Sequence, residues 1–146
     1  MSTTEIRFPT CNFFGDGENS DVIPFMSDKD ATKKLKNPNE KVLTDKEINI
    51  IFDYPLKSEF LFKFRSKNGF TRKQLADLII RQYMKIYADE NLTSQINVTP
   101  MSCRYPLLNR NQTKGVYGIC CHDMEDLSLN SMRLGSNGAW YLSIDS

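Results

Sequence analysis

Phe60-Leu61-Phe62-Lys63-Phe64-Arg65 is the most regular stretch of this chain, and the residues that follow, Asn68-Gly69-Phe70-Thr71-Arg72-Lys73-Gln74-Leu75, carry it from one period into another. Phenylalanine at every second position, with Leu61, Lys63 and Arg65 between, is the pattern of a strand with one aromatic face buried and one face solvated. Asn68-Gly69 marks a turn. Thr71 followed three residues later by Gln74 is a capping box, and Phe70 with Leu75 completes a hydrophobic staple. Leu75, Leu78, Ile79, Tyr83, Ile86 and Tyr87 then fall on one helical stripe, while Lys73, Asp77 and Arg81 ladder the opposite side. The spacing predicts a main helix from Arg72 to Asp89, ~27 Å long at 1.5 Å per residue.

Upstream of the strand the same starting device recurs. Thr44 and Glu47 form a second capping box, with Leu43 and Ile48 as its staple, which predicts a two-turn helix from Asp45 to Asp53 buried through Ile48, Ile51 and Phe52. Tyr54-Pro55 ends it. Downstream, residues 90–114 show no period and carry Pro100, Pro106 and the polar run Asn109 to Gln112, so they read as a long functional loop. Val116, Tyr117, Ile119 and the adjoining cysteines suggest a short strand. Leu127 and Leu129 share one phase and Met132 and Leu134 the other, which implies a bulge near Asn130 and Ser131. The turn Gly135 to Gly138 and the alternation of Trp140, Leu142 and Ile144 complete a C-terminal hairpin.

Residues 1–42 differ. Pro9, Pro24, Pro38, Gly15 and Gly17 interrupt every period, yet Phe8, Phe13, Phe14 and Phe25 lie among them. Aromatics on this scale point to docking, on the chain's own domain or on a partner. The expected organisation is an irregular Phe-containing arm, residues 1–42, before a single α+β domain, residues 43–146. The domain's fold class is one main helix packed on a small, largely antiparallel sheet ending in the C-terminal β-hairpin.

Composition bounds the chemistry. The chain has 146 residues, 40% hydrophobic and 25% charged, with a formal net charge of +1. It can bury a core, and it lacks the basic excess of most nucleic-acid-binding proteins. No apolar run reaches the ~20 residues of a membrane span, and residues 1–14 lack the apolar core of a secretory signal. A soluble, cytoplasmic chain with no membrane partner and reduced cysteines is the expectation.

One histidine excludes mechanisms that need two imidazoles, and no Gly-rich nucleotide loop occurs. The only dense constellation is Cys120, Cys121, His122, Asp123, Glu125 and Asp126. Successive residues on extended backbone point to opposite sides, so at most a few of these six converge, and no metal or other cofactor is expected. Cys121, His122, Asp123, Glu125 and Asp126 are nonetheless the candidate polar cluster of a small enzyme or metal-binding protein. Lys63 and Arg65 on one strand face, with Arg104, Tyr105 and Arg110 in the long loop, mark the alternative of RNA or single-stranded nucleic-acid binding. The reading favoured over both is a non-catalytic protein-interaction or structural subunit, with another protein or a second copy as partner. Its candidate contact residues are Phe8, Phe13, Phe14, Phe25, Arg104, Tyr105, Asn109 and Arg110.

Overall fold

A computed structural model describes residues 4–11, 19–25, 32–106 and 108–146. Its strands are β1 (Glu5–Arg7), β2 (Thr10–Cys11), β3 (Asn19–Ser20), β4 (Ile23–Pro24), β5 (Lys41–Leu43), β6 (Glu47–Phe52), β7 (Phe60–Arg65), β8 (Phe70–Thr71), β9 (Ser128–Leu134) and β10 (Trp140–Asp145). The single α-helix among the described residues, α1, spans Arg72–Thr93. It is an α+β architecture. No helix is long and apolar enough to cross a membrane among the described residues.

The predicted strand-turn-helix unit is present. The Thr71 side chain accepts from the Gln74 amide, and the Gln74 side chain accepts from the Thr71 amide. Gly69 supplies the turn at φ +81°, and a Cβ there would lie 2.4 Å from the Leu43 carbonyl oxygen, so the close pass of β5 requires glycine. The hairpin β9–β10 is also present. Ser143 pairs with Ser131 and Ile144 with Leu129, which leaves Asn130 as the bulged residue.

The second predicted helix is a strand. Residues Glu47–Phe52 form β6, antiparallel to β7 and parallel to β10. The Thr44-to-Glu47 capping box does not form. Glu47 instead lies opposite Arg65 and binds it at 2.7 Å, with Lys63 at 3.5 Å. Three isoleucines and a phenylalanine suit a pleated surface with neighbours on both sides, whereas two turns of helix have little stability of their own. Hydrogen bonding from two flanking strands outweighs one local cap.

The main sheet therefore has six strands in the order β1-β9-β10-β6-β7, with β4 also on β9, and it is larger than the small sheet expected. It is mixed, because β10 and β6 run parallel. Strands β1 and β4 lie end to end along one edge of β9: Glu5, Ile6 and Arg7 pair with Arg133, Met132 and Ser131, and Ile23 and Pro24 with Leu129 and Ser128. Pro24 sits where an edge strand tolerates a missing donor. Residues before 43 thus contribute to the same sheet, and Ile6, Phe8, Ile23 and Phe25 to the same core.

That core lies between α1 and the sheet. Tyr83 is at its centre, with ring centroids 5.1 Å from both Phe25 and Phe52, and its hydroxyl donates to the Tyr54 carbonyl at 2.7 Å. Burial pushes the Tyr83 phenol well above its ordinary pKa, so it is a neutral donor. Arg72 joins the helix start to the N-terminal segment, donating to the carbonyls of Arg7 and Asn37 and to the Glu40 carboxylate.

Candidate functional site

The described residues of 94–126 form an irregular layer over the C-terminal half of α1, with only the 3-10 turns Met101–Cys103 and Met124–Asp126 among them. Hydrogen bonds tie it to the β6–β7 connection: Lys57 donates to the Tyr117 carbonyl at 3.1 Å and Cys120 to the Pro55 carbonyl at 3.0 Å. The Tyr117 ring stands edge-on to Phe60 at 4.8 Å. Between Ser94 and His122 the chain has Arg104, Arg110 and Lys114 and no Asp or Glu. Its cations must find counter-charges elsewhere or go without.

One carboxylate comes from the helix. Glu90 is completely buried and accepts from the Thr113 hydroxyl at 2.5 Å and from the backbone amides of Tyr117, Gly115 and Ile119 at 2.9, 3.0 and 3.2 Å. Burial opposes its charge, but the Thr113 hydroxyl and the three amides outweigh that cost and hold its pKa at about 2. It is a fixed anion and no proton shuttle. The arrangement also explains why the expected strand over 116–121 is absent. Alternate amides that a strand would offer to a neighbour all turn inward to one carboxylate, and only an isolated bridge between Arg110 and Cys121 remains. Gly115 permits the approach, since a Cβ there would stand 2.4 Å from Glu90 Oε1.

The sequence reading passed over Glu90, although a signal existed. It falls three and seven residues after Tyr87 and Tyr83, on the helix's buried stripe, and an acid on an apolar stripe implies buried donors.

The second counter-charge is Asp123. Arg104 is buried and binds both Asp123 carboxylate oxygens with its terminal nitrogens, while its Nε donates to the Thr99 carbonyl at 2.8 Å. Hydrogen bonding to Asp123 raises the guanidinium pKa further. Every edge of Arg104 is in use, so Arg104 staples residues 99–104 to the segment before β9.

Arg110 is different. It is 4% exposed, yet no carboxylate among the described residues lies within ion-pair distance. One terminal nitrogen reaches Asn91 Oδ1 at 3.4 Å, the guanidinium carbon lies 5.1 Å from the Tyr87 ring centroid, and Nε is buried without a partner. Tyr87 in turn donates to the His122 carbonyl at 2.9 Å, its phenol pKa raised by burial and partly offset by Arg110. Asn109 and Tyr105 are exposed, Tyr105 at 85%.

The members of the polar cluster face different partners. The Cys120 and Cys121 sulfurs lie side by side, while Cys11 and Cys103 are free and exposed. Cys121 has φ +76°, so the two side chains do not diverge as they would on extended backbone. His122 Nδ1 is 3.8 Å from Asp126 Oδ2, too far for a hydrogen bond, and its ring lies 5.8 Å from that of Tyr54. Neither free cysteine, Cys11 or Cys103, is among its contacts. Asp123 and Asp126 cap their own 3-10 turn reciprocally, and Glu125 lies within that turn, exposed. Among the described residues no three His, Cys, Asp or Glu side chains are grouped to hold a metal.

Of the arm phenylalanines, Phe8 and Phe25 are completely buried in the core and offer no surface, because β1 and β4 carry them under the sheet edge. Phe13 and Phe14 lie outside the described residues. Lys63 and Arg65, the basic strand face, are both paired with Glu47, which cancels part of the charge a nucleic-acid phosphate would use.

Comparison of the chain with protein-family models, with curated proteins and with solved structures finds no match.

Proposed function

We propose that this chain is a non-catalytic protein-interaction subunit that meets its partner through residues 92–116, the end of α1 and the adjoining part of the irregular layer. One observation carries the reading. Of the eight large apolar side chains exposed among the described residues, six lie in this segment: Leu92, Ile96, Met101, Tyr105, Leu108 and Val116. Isolated exposed apolar residues are ordinary, but their concentration in one segment is what protein-contact surfaces show. Rigid backing supports the same reading, since Glu90 and Asp123 hold the layer in shape and lower the entropy a partner would otherwise have to remove. Arg104 is a support within the layer, and Tyr105 and Asn109 are contact residues.

The test is a photo-crosslinking amino acid placed at Tyr105 of the full chain in its native source, with the same group at Leu61 on the far sheet face as control. A discrete adduct at position 105, absent at 61 and lost in Met101→Ser/Leu108→Ser, is expected. An adduct of twice the chain's mass identifies a second copy as the partner. Equal labelling at both positions would overturn the proposal.

A further inference from the structure

We infer that Arg110 is the base of a binding site for an oxyanion, a phosphoryl or carboxylate group, in the depression enclosed by Thr99, Arg104, Asn109, Arg110 and Asn111. The depression measures about 300 Å³, room for such a group with a small organic body attached.

The case rests on what folding leaves undone. Burying a guanidinium without a counter-charge is costly, and proteins avoid it by pairing or by ligand binding. No carboxylate forms an ion pair with Arg110 among the described residues: the two hydrogen-bonded inside the layer are committed, and Glu125 and Asp126 belong to their own 3-10 turn. Glu90 is used by Thr113 and three amides, and Asp123 by Arg104. Arg110 keeps a long contact from Nη2 to Asn91 and the Tyr87 ring face; its Nε is buried without a partner, and Nη1 makes no hydrogen bond either. A guanidinium edge presents parallel N–H groups, and their natural complement is a pair of oxygens on one anionic centre.

The surroundings support the same chemistry. Asn111 is fixed by its own bonds, accepting from the Thr99 amide at 2.8 Å and donating to the Asn97 carbonyl at 3.2 Å, so it shapes the wall. Asn109, exposed at the rim, is placed to add a donor. No acid occurs from Ser94 to His122, so the lining of the depression holds no carboxylate that would compete for Arg110. Arg104, already saturated by Asp123 and the Thr99 carbonyl, does not compete for the ligand. The oxyanion site stands whether or not residues 92–116 carry a protein partner.

The decisive experiment is titration of the purified full chain, labelled with nitrogen-15, with inorganic phosphate and separately with acetate. Sodium chloride at matched ionic strength is the control. The Arg110 Nε–H resonance, assigned by through-bond correlation to the Arg110 side chain and checked by its loss in Arg110→Lys, should shift saturably with at least one oxyanion and not with chloride. The melting temperature should rise in parallel. Saturation by phosphate alone assigns a phosphoryl ligand; saturation by both assigns any oxyanion that fits. Asn109→Ala, a rim change that leaves the fold intact, should weaken binding by about tenfold or less, and Arg110→Lys by more. An Nε–H resonance unmoved by either anion, with equal melting in phosphate and chloride, would overturn the proposal even if Arg110→Lys fails to fold. So would an unchanged response in a folded Arg110→Lys.

Discussion

The sheet and helix on one side, and residues 94–126 on the other, are held by opposite means. The first buries Phe8, Phe25, Phe52, Tyr83 and the Ile side chains of β6 in one contiguous apolar core. The second has few large apolar groups inside and wraps around three buried charges, Glu90 and Arg104 with their hydrogen-bonding capacity filled and Arg110 without. Apolar burial is non-directional and tolerates small shifts of position, whereas a buried carboxylate fixes each donor within a few tenths of an ångström. The contrast teaches how a segment without regular structure keeps a definite shape while leaving its own apolar side chains outside.

The sharpest way to break this contrast is to remove apolar bulk from the body. Phe25→Ala should destabilise the whole molecule by about 3–5 kcal/mol, with one cooperative transition in urea that includes the amides of α1 and β9. A loss confined to the first residues, with α1 amides still protected, would mean that the N-terminal strands are an appendage and not part of the core. Deleting residues 1–40 should for the same reason abolish cooperative folding, not merely association.

A smaller and differently placed effect is expected from Glu90→Gln. The amide keeps the shape but sets its own N–H groups against donors, at a cost of about 2–3 kcal/mol. Amide exchange should quicken at Gly115, Tyr117 and Ile119 before it does in the sheet. The pH dependence gives an independent reading. Because the folded pKa is depressed to about 2 from the ordinary 4.5, Glu90 contributes stability that is fully present above 4.5 and lost as pH falls toward about 2. Glu90→Gln should flatten the stability profile in that window. Identical slopes in the two proteins would contradict the role given to this carboxylate.

The smallest effect tests the far face of the sheet. Leu61 is 55% exposed between Lys63 and the β6–β7 connection, and Leu61→Ser should alter stability by no more than about 0.5 kcal/mol in denaturant titration. A larger loss would show that this face is covered, and would remove the control on which the contact surface is judged.

How far the fold was legible follows from the reach of each signal. The Phe60–Arg65 alternation and the Thr71-to-Gln74 box were read correctly because their causes are local: a pleat and a capped first turn are decided by neighbours in sequence. The helix ran on past Asp89 to Thr93 because Glu90, polar by type, occupies a buried position. Glu47–Phe52 was misread because Ile48, Ile51 and Phe52 fit a helical stripe as well as a strand. The deciding partners, β7 and β10, come from elsewhere in the chain. Among the candidate site residues, Asp123, one member of the candidate polar cluster, serves as the counter-ion of Arg104. Arg104 and Arg110, grouped together as surface, are both buried, and only Arg110 keeps bonding capacity to spare.

By itself the sequence determined the α+β class, the single long helix, the C-terminal hairpin with its bulge, and the scarcity of parts for imidazole chemistry. Periodicity, caps and residue counts express interactions over a few positions. The tertiary structure alone decided which short apolar run became a strand, how the N-terminal segment enters the sheet, and which buried charges are satisfied. Each of those outcomes depends on a partner brought from a distant part of the chain, and only packing determines whether a carboxylate reaches one arginine and not the next.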